Sequence, residues 1–600
     1  MIPGRTAIAA TLDEALASCS KELVEEGEYI YSEESIEKLV YFLNSLSQSL
    51  ITEEDNGNED SEEVAIEILG QIRLYLSSPR LKMEVIDALA FELPKAVARF
   101  SCVSAKCLEA AEDIVDRFVQ SVSPRDMLSV LCEAISSPRE PFVVPGYYIP
   151  LLSGLAKVLS LIQRRHYEQV KTAVPVILNV LKIMCSKSED GDTDCEKLFL
   201  EAARISHSIR GICLKLEGEN NKNLRGLLGL YVLQVMYFVS VGITSDISRS
   251  LPVVLELSDL LHYCESSYVG LITGREVSLM SALVLDESED GTNCFSQVKL
   301  GAVLSVIWGY KNSEVAEAAK ADVNAVVMEI QGNWTRRWDV LDMLNHLFSC
   351  VNLPWEFKRH GTEFLLHLMD GIEKQSYDES ADYSLYTPTM FSSLQAIRTV
   401  IMYAPDSLLR KSAFSAFRKV LEDIPTSWRF DVLKALINNT DSSSMIALLL
   451  GCVKDELLKG LTKRTSAEGD VVENSEINQY TSFWNPSVLE LVEVILRPPK
   501  GGPPSLPDCS DSVLSALNLY RYILITESTG NSNSTGILSE DKLRKAHSEW
   551  LLPLRTLVTG IMAENLKDCD QLASDTICAL NPVELVLYRC IDLVEEKLEC

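Results

Sequence analysis

Residues 406–422 read DSLLRKSAFSAFRKVLE and carry the strongest indication of the fold class. The apolar side chains recur with helical spacing, so in an α-helix they form one continuous stripe. They are Leu409, Ala413, Ala416, Phe417, Val420 and Leu421. A second stripe, near the end of the chain, consists of Val583, Leu587, Ile591, Val594 and Leu598. Because such stripes recur along the whole chain, the sequence predicts an all-α protein.

The helical stretches are predicted to form repeats. About 25 candidate helices are joined mostly by short connections, which favours antiparallel neighbours stacked in pairs. Three helices are predicted to begin at a proline that follows a capping side chain: Ser123-Pro124, Asn485-Pro486 and Asn581-Pro582. No strict sequence repeat stands out, which favours degenerate pairs over tetratricopeptide or ankyrin repeats. We therefore predict a HEAT/armadillo-like helical-repeat solenoid, with N-terminal HEAT-like repeats in residues 1–390 and C-terminal HEAT-like repeats in residues 391–600.

Polar or Gly- and Pro-rich connections separate some of the helices. They are residues 52–61, 186–194, 286–293, 463–478, 497–512 and 527–540. Segments of this composition bury too little apolar surface to offset the entropy lost on ordering. We predict that they are mobile loops, and that residues 497–511 (RPPKGGPPSLPDCSD) form the strongest local break.

The net charge excludes two classes of partner. The chain has 55 basic and 86 acidic residues, which gives a net charge of -31. A surface this acidic repels the phosphates of nucleic acids and of anionic bilayers. Neither nucleic acid nor a membrane is therefore an expected partner.

One apolar segment tests the expectation that no membrane is involved. Residues 226–243 (GLLGLYVLQVMYFVSVGI) are nearly all apolar and long enough to span a bilayer, and no second segment of this kind stands out. The segment contains Gln234 and Ser240, and a central helix covered by neighbouring helices has the same composition. We predict that it is a core helix of the solenoid.

The sequence lacks the motifs of the common catalytic sites. It contains no phosphate-binding loop, dinucleotide-binding glycine motif, nucleophile elbow or HExxH zinc helix. Three histidines, His346, His360 and His367, lie near one another in sequence, but no carboxylates or cysteines complete a metal site. The expectation is therefore no enzyme activity, no cofactor and no metal. Scattered cysteines and the absence of a signal-peptide core predict a location in the nucleus and cytoplasm.

A basic helix face is the candidate partner-binding site. Arg410, Lys411, Arg418 and Lys419 lie opposite the apolar stripe of residues 406–422, and Lys411 and Arg418 fall almost on one line. Residues 398–434 contain seven basic and four acidic residues, a local charge of +3. This face is either a solvated helix surface or a partner-binding patch. The candidate contact residues are Arg410, Lys411, Arg418, Lys419, Trp428 and Arg429.

The second half of the chain resembles the glomulin family. The resemblance is clearest in residues 391–460, which begin FSSLQAIRTVIMYAPD and end IALLLGCVKDELLKG, and it includes LYRYILITE (519–527) and EWLLPLRTLV (549–558). The wider chain is similar to the plant branch of the family. The resemblance implies HEAT-like repeats whose C-terminal part, here residues 391–600, binds the RING-box subunit of cullin-RING ligases.

The same resemblance implies a function. Family members reach the cullin through the RING-box subunit, mask the face on which the ubiquitin-conjugating enzyme docks, and so inhibit SCF-type ligases. The plant context is hormone-repressor turnover in auxin signalling and lateral root formation. An armadillo- or importin-like transport or assembly adaptor that binds basic peptides is the alternative, since it would use the same fold.

Overall fold

The computed structural model describes most of the chain in two compact units. The described residues are 5–20, 22–25, 28–31, 33–52, 58–138, 141–187, 193–242, 247–285, 294–371, 383–467, 483–498, 501–530, 532–566 and 571–599. Unit 1 comprises Met1–Leu368 and unit 2 comprises Met369–Cys600. The predicted boundary at residues 390/391 falls inside a helix of unit 2, Thr387–Tyr403.

Unit 1 is built from short and medium-length helices. Its described helices are α1 Arg5–Cys19, α2 Glu33–Thr52, α3 Asn58–Leu76, α4 Met83–Ala90, α5 Leu93–Phe100, α6 Ala105–Ser121, α7 Pro124–Ser136, α8 Pro145–Leu161, α9 His166–Lys187, α10 Thr193–Cys213, α11 Gly218–Gly242, α12 Ile247–Tyr263, α13 Tyr268–Ile272, α14 Arg275–Val284, α15 Val298–Lys311, α16 Ser313–Ala318, α17 Val323–Gln331, α18 Trp334–Ser349 and α19 Trp355–Met369. One short antiparallel hairpin, Glu22–Glu25 with Glu28–Tyr31, is an exception that the helical periodicity did not predict.

Unit 2 is also built mainly from α-helices. It contains a short 3₁₀ helix, Tyr383–Tyr386, and a π-helix, Ala546–Leu551. Its described α-helices are α20 Thr387–Tyr403, α21 Ser407–Glu422, α22 Thr426–Asn438, α23 Ser443–Ala467, α24 Ser487–Leu496, α25 Ser510–Thr529, α26 Glu540–Lys545, α27 Leu552–Asn565 and α28 Gln571–Glu599.

Helix pairs stack on one another within each unit, which confirms the predicted all-α helical-repeat fold. In unit 1, α8 packs against α6, α7 and α10; in unit 2, α23 packs against α25, and α25 packs against α28. Ion pairs join corresponding helices of successive repeats, as between Arg73 and Asp113 (2.9 Å) and between Arg210 and Asp259 (2.8 Å). The partners are separated by 40 and 49 residues, close to the length of one HEAT or armadillo repeat, about 40–47 residues.

The long apolar segment forms α11, the central helix of unit 1. It packs against α9, α10, α12, α14 and α15. The polar side chains Gln234 and Ser240 of the apolar segment are both hydrogen-bonded: the Gln234 amide oxygen accepts from the Gln297 backbone N–H (3.1 Å), and the Ser240 hydroxyl accepts from the Trp308 indole N–H (3.0 Å). Burial and hydrogen bonding of these groups confirm the prediction of a core helix.

The described residues contain two helices that meet a length and composition test for membrane spans. They are α9 and α11, and 89% of the apolar window of α11 is buried inside the protein. The prediction of a single such segment is therefore wrong, because α9 also qualifies. A mostly buried helix of a soluble core passes the same test.

Two local predictions need correction. Asn581-Pro582 does not begin a helix, because Pro582 lies inside α28; both residues are exposed, so the missing N–H faces solvent. Residues 527–540 are not a loose loop, since Thr535 and Ile537 are buried and the Glu527 carboxylate accepts from the Thr535 backbone N–H (2.9 Å). The predicted loop at 286–293 and parts of the other five, including residues 499–500 and 531, lie outside the described residues.

Candidate partner-binding face of unit 2

The helix α21 presents its basic side chains away from the core. Its first turn is capped by Asp406, whose carboxylate accepts from the backbone N–H groups of Leu408 (3.0 Å) and Leu409 (3.1 Å). The apolar stripe predicted from the sequence is buried in full, and α21 packs against α20. The opposite side of the helix therefore faces solvent.

The four basic residues of α21 have different roles. Lys411 and Arg418 are exposed. Arg410 donates to the carbonyl oxygens of Ala404 (2.7 Å) and Pro405 (3.4 Å), so its guanidinium fastens the connection between α20 and α21. Lys419 is half-buried and pairs with Asp370. Lys411 and Arg418 are thus the members of this group best placed to meet a partner.

Arg429 does not belong to the candidate surface. Its side chain is 8% exposed and its guanidinium pairs with the Glu456 carboxylate at 2.5 Å. It also donates to the carbonyl oxygen of Glu422 (3.0 Å), at the end of α21, and to that of Ile424 (2.7 Å), in the turn after the helix. A buried, fully bonded arginine holds helices together, so its nomination as a contact residue is wrong. The neighbouring Trp428 is half-buried.

Ion pairs fix α21 and α23 in parallel register. Arg418 lies 3.1 Å from Asp455, and Lys459 donates to the Glu422 carboxylate at 2.7 Å. Both pairs join residues 37 positions apart. The same offset matches Lys411 with Leu448, and both side chains are exposed.

A second set of contacts fixes α23 against α25. The Ser444 hydroxyl donates to the Asp511 carboxylate at 2.5 Å across 67 residues. The ammonium group of Lys454 lies 5.6 Å from the centroid of the Tyr522 ring, at nearly the same offset. The offset of 67 residues matches Leu458 with Ile525, and both side chains are exposed.

Five exposed side chains of these three helices form a group that we call the unit 2 face: Lys411, Arg418, Leu448, Leu458 and Ile525. The three apolar side chains are 38%, 40% and 39% exposed, respectively. A single apolar side chain with this exposure is common on protein surfaces, but here three of them occur on two neighbouring helices. Sequence reasoning identified Lys411 and Arg418 and missed the apolar members, because the register between helices is not visible in helical periodicity.

Two titratable side chains of unit 2, Lys459 and Cys452, have pKa values above their ordinary range. Burial opposes protonation of Lys459, yet its hydrogen bonds to Glu422 and Glu456 hold its pKa above the ordinary value. Burial raises the pKa of the Cys452 thiol to about 12, so this thiol stays protonated and unreactive near neutral pH.

Two histidines of unit 1 have lowered pKa values. Burial lowers the pKa values of His346 and His360, which favours neutral rings. Within the described residues, no group of three or more His, Cys, Asp or Glu side chains could hold a metal ion.

The family is decided by comparison with known proteins. Residues 31–216 and 364–590 match the model of a family described as "Uncharacterised protein family, YAP/Alf4/glomulin". The chain belongs to this family. A relative within the YAP/Alf4/glomulin family, Aberrant root formation protein 4 of Arabidopsis thaliana, is 45% identical over 596 residues, which cover 98% of this chain and 92% of the relative. Human glomulin is 25% identical over 190 residues, which cover 32% of this chain and 29% of glomulin.

These matches confirm the resemblance to the glomulin family and to its plant branch. Among solved structures, the karyopherin Kap121p bound to Pho4p matches 98% of this chain and 70% of its own, at 12% identity and a TM-score of 0.18. The same karyopherin bound to the SUMO protease Ulp1p matches 100% of this chain and 69% of its own, at 13% identity and a TM-score of 0.18. The fold assignment for this member of the YAP/Alf4/glomulin family rests on its own helices.

Proposed function

We propose that the chain inhibits cullin-RING (SCF-type) ubiquitin ligases by binding their RING-box subunit with unit 2. Bound there, it would mask the surface on which the ubiquitin-conjugating enzyme docks, and it would contact the cullin only through the RING-box subunit. Membership of the family supports the proposal, because the resemblance to glomulin implies this activity. The observation that carries it is the unit 2 face, where neighbouring helices expose leucine and isoleucine side chains as well as Lys411 and Arg418.

Masking requires a surface and no catalytic group. A specific interface of standard size buries about 800 Å² on each partner, and a few central side chains supply most of its binding energy. The unit 2 face extends across three helices and combines apolar side chains with flanking cations, a composition that can supply both affinity and orientation. We therefore propose that the chain acts by binding and not by catalysis.

The biological setting is part of the proposal. A relative is named for aberrant root formation, and we propose that this chain likewise affects lateral root formation, through hormone-repressor turnover in auxin signalling. Its proposed location is the nucleus and cytoplasm, where its ligase partners would be present.

Two single substitutions in the full-length protein test the unit 2 face. Lys411→Glu reverses a charge and Leu448→Glu places a charge among the apolar side chains, so each is expected to weaken binding of a cullin–RING-box complex about tenfold or more. Arg418→Glu is a poorer test, because it would face Asp455 and disturb the contact between α21 and α23. Affinity is measured by isothermal titration calorimetry, and helix content by circular dichroism.

The matched control is Lys222→Glu, which reverses an exposed charge on α11 of unit 1. It is expected to bind like the unsubstituted protein. If both unit 2 variants also bind unchanged, the face is not the contact surface. If the unsubstituted protein binds no RING-box complex, the proposed function itself is wrong.

A further inference from the structure

A groove crosses one end of three helix hairpins in unit 1. Its volume is about 700 Å³. The hairpins are α10–α11, α12–α13 and α16–α17, and α12 packs against both α10 and α16. An ion pair between Arg210 and Asp259 (2.8 Å) joins the ends of α10 and α12 beside the groove. The groove is therefore built from packed helices and the turns that connect them.

Three cationic side chains line this groove. Arg210 lies at the end of α10, Arg225 near the start of α11, and Lys320 in the turn after α16. Two carboxylates, Asp259 and Glu265, line it as well. With its one histidine counted as neutral, the lining has three cations against two anions, in a chain whose net charge is -31. The groove is thus a locally cationic site on an acidic protein.

The two arginines are only partly engaged by these carboxylates. Arg210 donates to Asp259 at 2.8 Å, and Arg225 donates to Glu265 at 2.9 Å. A guanidinium group has five N–H donors, and among the described residues these are the hydrogen bonds that the two arginines make. Their side chains are 34% and 26% exposed, and none of their nitrogens is buried without a partner. The remaining donors are therefore open to solvent and to a ligand.

The charges of the two arginines converge on one ring. The guanidinium carbon of Arg210 lies 4.9 Å from the centroid of the Tyr263 ring, which also lines the groove. Burial raises the pKa of the Tyr263 phenol, and the charges of Arg225 and Arg210 both oppose that rise. Because such an effect weakens with distance, both guanidinium groups lie near this ring.

Lys320 supplies a further cation, which has no ion-pair partner among the described residues. Its backbone is fixed by the turn, where its N–H donates to the Glu317 carbonyl at 2.9 Å. The nearby Asp322 carboxylate caps α17 and accepts from the backbone N–H of Asn324 at 3.0 Å. The Lys320 side chain is exposed. Its charge is therefore available to a ligand in the groove.

The groove also offers an apolar surface and room for a short chain. Tyr268, Ala319 and Val326 are among its lining residues. The axes of packed helices lie about 8–10 Å apart, so a ligand that crosses three hairpins spans roughly 16–20 Å. An extended peptide covers that distance with about five or six residues. A ligand with carboxylates and apolar side chains would match both parts of the lining.

We propose that this groove binds an acidic segment of a partner protein in extended form. Carboxylates of the segment meet Lys320 and the open donors of Arg210 and Arg225, and apolar side chains of the segment pack against the apolar part of the lining. The site lies in unit 1 and does not depend on the proposed binding of a RING-box subunit by unit 2.

Labelled ligands test the proposal on the full-length protein by fluorescence polarisation. Three peptides of about six residues alternate leucine with aspartate, with asparagine or with lysine, and the fourth ligand is a single-stranded DNA of similar length. At low salt the aspartate peptide is expected to bind about tenfold or more tightly than each of the others, and to lose this advantage at about 0.5 M salt. Equal binding of the asparagine peptide, tighter binding of the lysine peptide or the DNA, or no binding of the aspartate peptide up to about 1 mM would each overturn the proposal.

Two variants locate the binding. Lys320→Glu is expected to lower the affinity for the aspartate peptide about tenfold or more, and Arg225→Gln about fivefold, because each removes a cation from the groove. The matched control is Arg165→Glu, since Arg165 is also exposed and has nearly the same backbone φ, 52° against 51° for Lys320, but does not line the groove. Circular dichroism checks that all three variants keep their helix content. Unchanged affinity in Lys320→Glu, or an equal loss in Arg165→Glu, would refute the site.

Discussion

Removing the charge of Arg429 tests how unit 2 is held together. In Arg429→Met, the Glu456 carboxylate, 7% exposed, loses its guanidinium partner at 2.5 Å, and the Ile424 and Glu422 carbonyls lose their donors. Leaving one member of a buried ion pair without its partner costs about 3–5 kcal/mol of stability. Because Lys459 still donates to Glu456 at 2.9 Å, we expect the lower end of the range, about 3 kcal/mol.

The measurement is thermal unfolding followed by circular dichroism. For a unit of this size, 1 kcal/mol shifts the melting temperature by about 2–4 °C, so the expected loss is about 6–12 °C for the transition of unit 2. The double variant Arg429→Met/Glu456→Leu removes both charges and should recover part of that loss. A single variant that melts within about 2 °C of the unsubstituted protein, or a double variant less stable than the single one, would refute the assignment of this pair as a structural contact.

Two further predictions concern unit 1. Gly301→Ala should destabilise the protein by about 3 kcal/mol or more in urea unfolding, because the new Cβ would lie 1.9 Å from the Leu233 carbonyl oxygen. In the control Gly211→Ala, the new Cβ meets nothing within 4 Å, so this variant should be neutral or stabilising by up to about 1 kcal/mol. Equal losses of stability in the two variants would contradict the close approach at Gly301. Burial raises the pKa of Glu201 to about 7. The folded protein therefore becomes less stable as the pH rises through 7, because the buried carboxyl group must ionise. Glu201→Gln does not ionise, so its free energy of unfolding should rise by up to about 3 kcal/mol relative to that of the unsubstituted protein between pH 5 and pH 8. A difference in urea midpoint that does not vary with pH would show that Glu201 titrates normally.

The fold could be predicted because helical stripes are local. The stripe of α21 is buried as expected, and α7 begins at Pro124 as predicted, but the Ser123 side chain makes no capping hydrogen bond. The helix predicted to begin at Pro486 begins one residue later, at Ser487, whose backbone N–H donates to the Asn485 amide oxygen at 2.7 Å. The Asn581-Pro582 prediction failed because an exposed proline can be accommodated within a long helix.

The candidate site could be predicted only in part. Lys411 was found because its exposure follows from the position of the stripe on its own helix. Arg429 was misassigned and Leu448, Leu458 and Ile525 were missed for one physical reason: burial and exposure at these positions depend on contacts between helices. The 37-residue offset between α21 and α23 comes from packing, and no periodicity within one helix reveals it.

The most direct test of the proposed masking is a titration of ubiquitin chain synthesis. Increasing amounts of the full-length protein are added to a fixed amount of a reconstituted cullin-RING ligase, and chain formation is measured with the ubiquitin-conjugating enzyme in excess. Occlusion has no turnover, so inhibition should saturate near one inhibitor per ligase, and Lys411→Glu should require a higher concentration to reach the same level. Chain synthesis that continues unchanged with the protein in excess over the ligase would contradict the account.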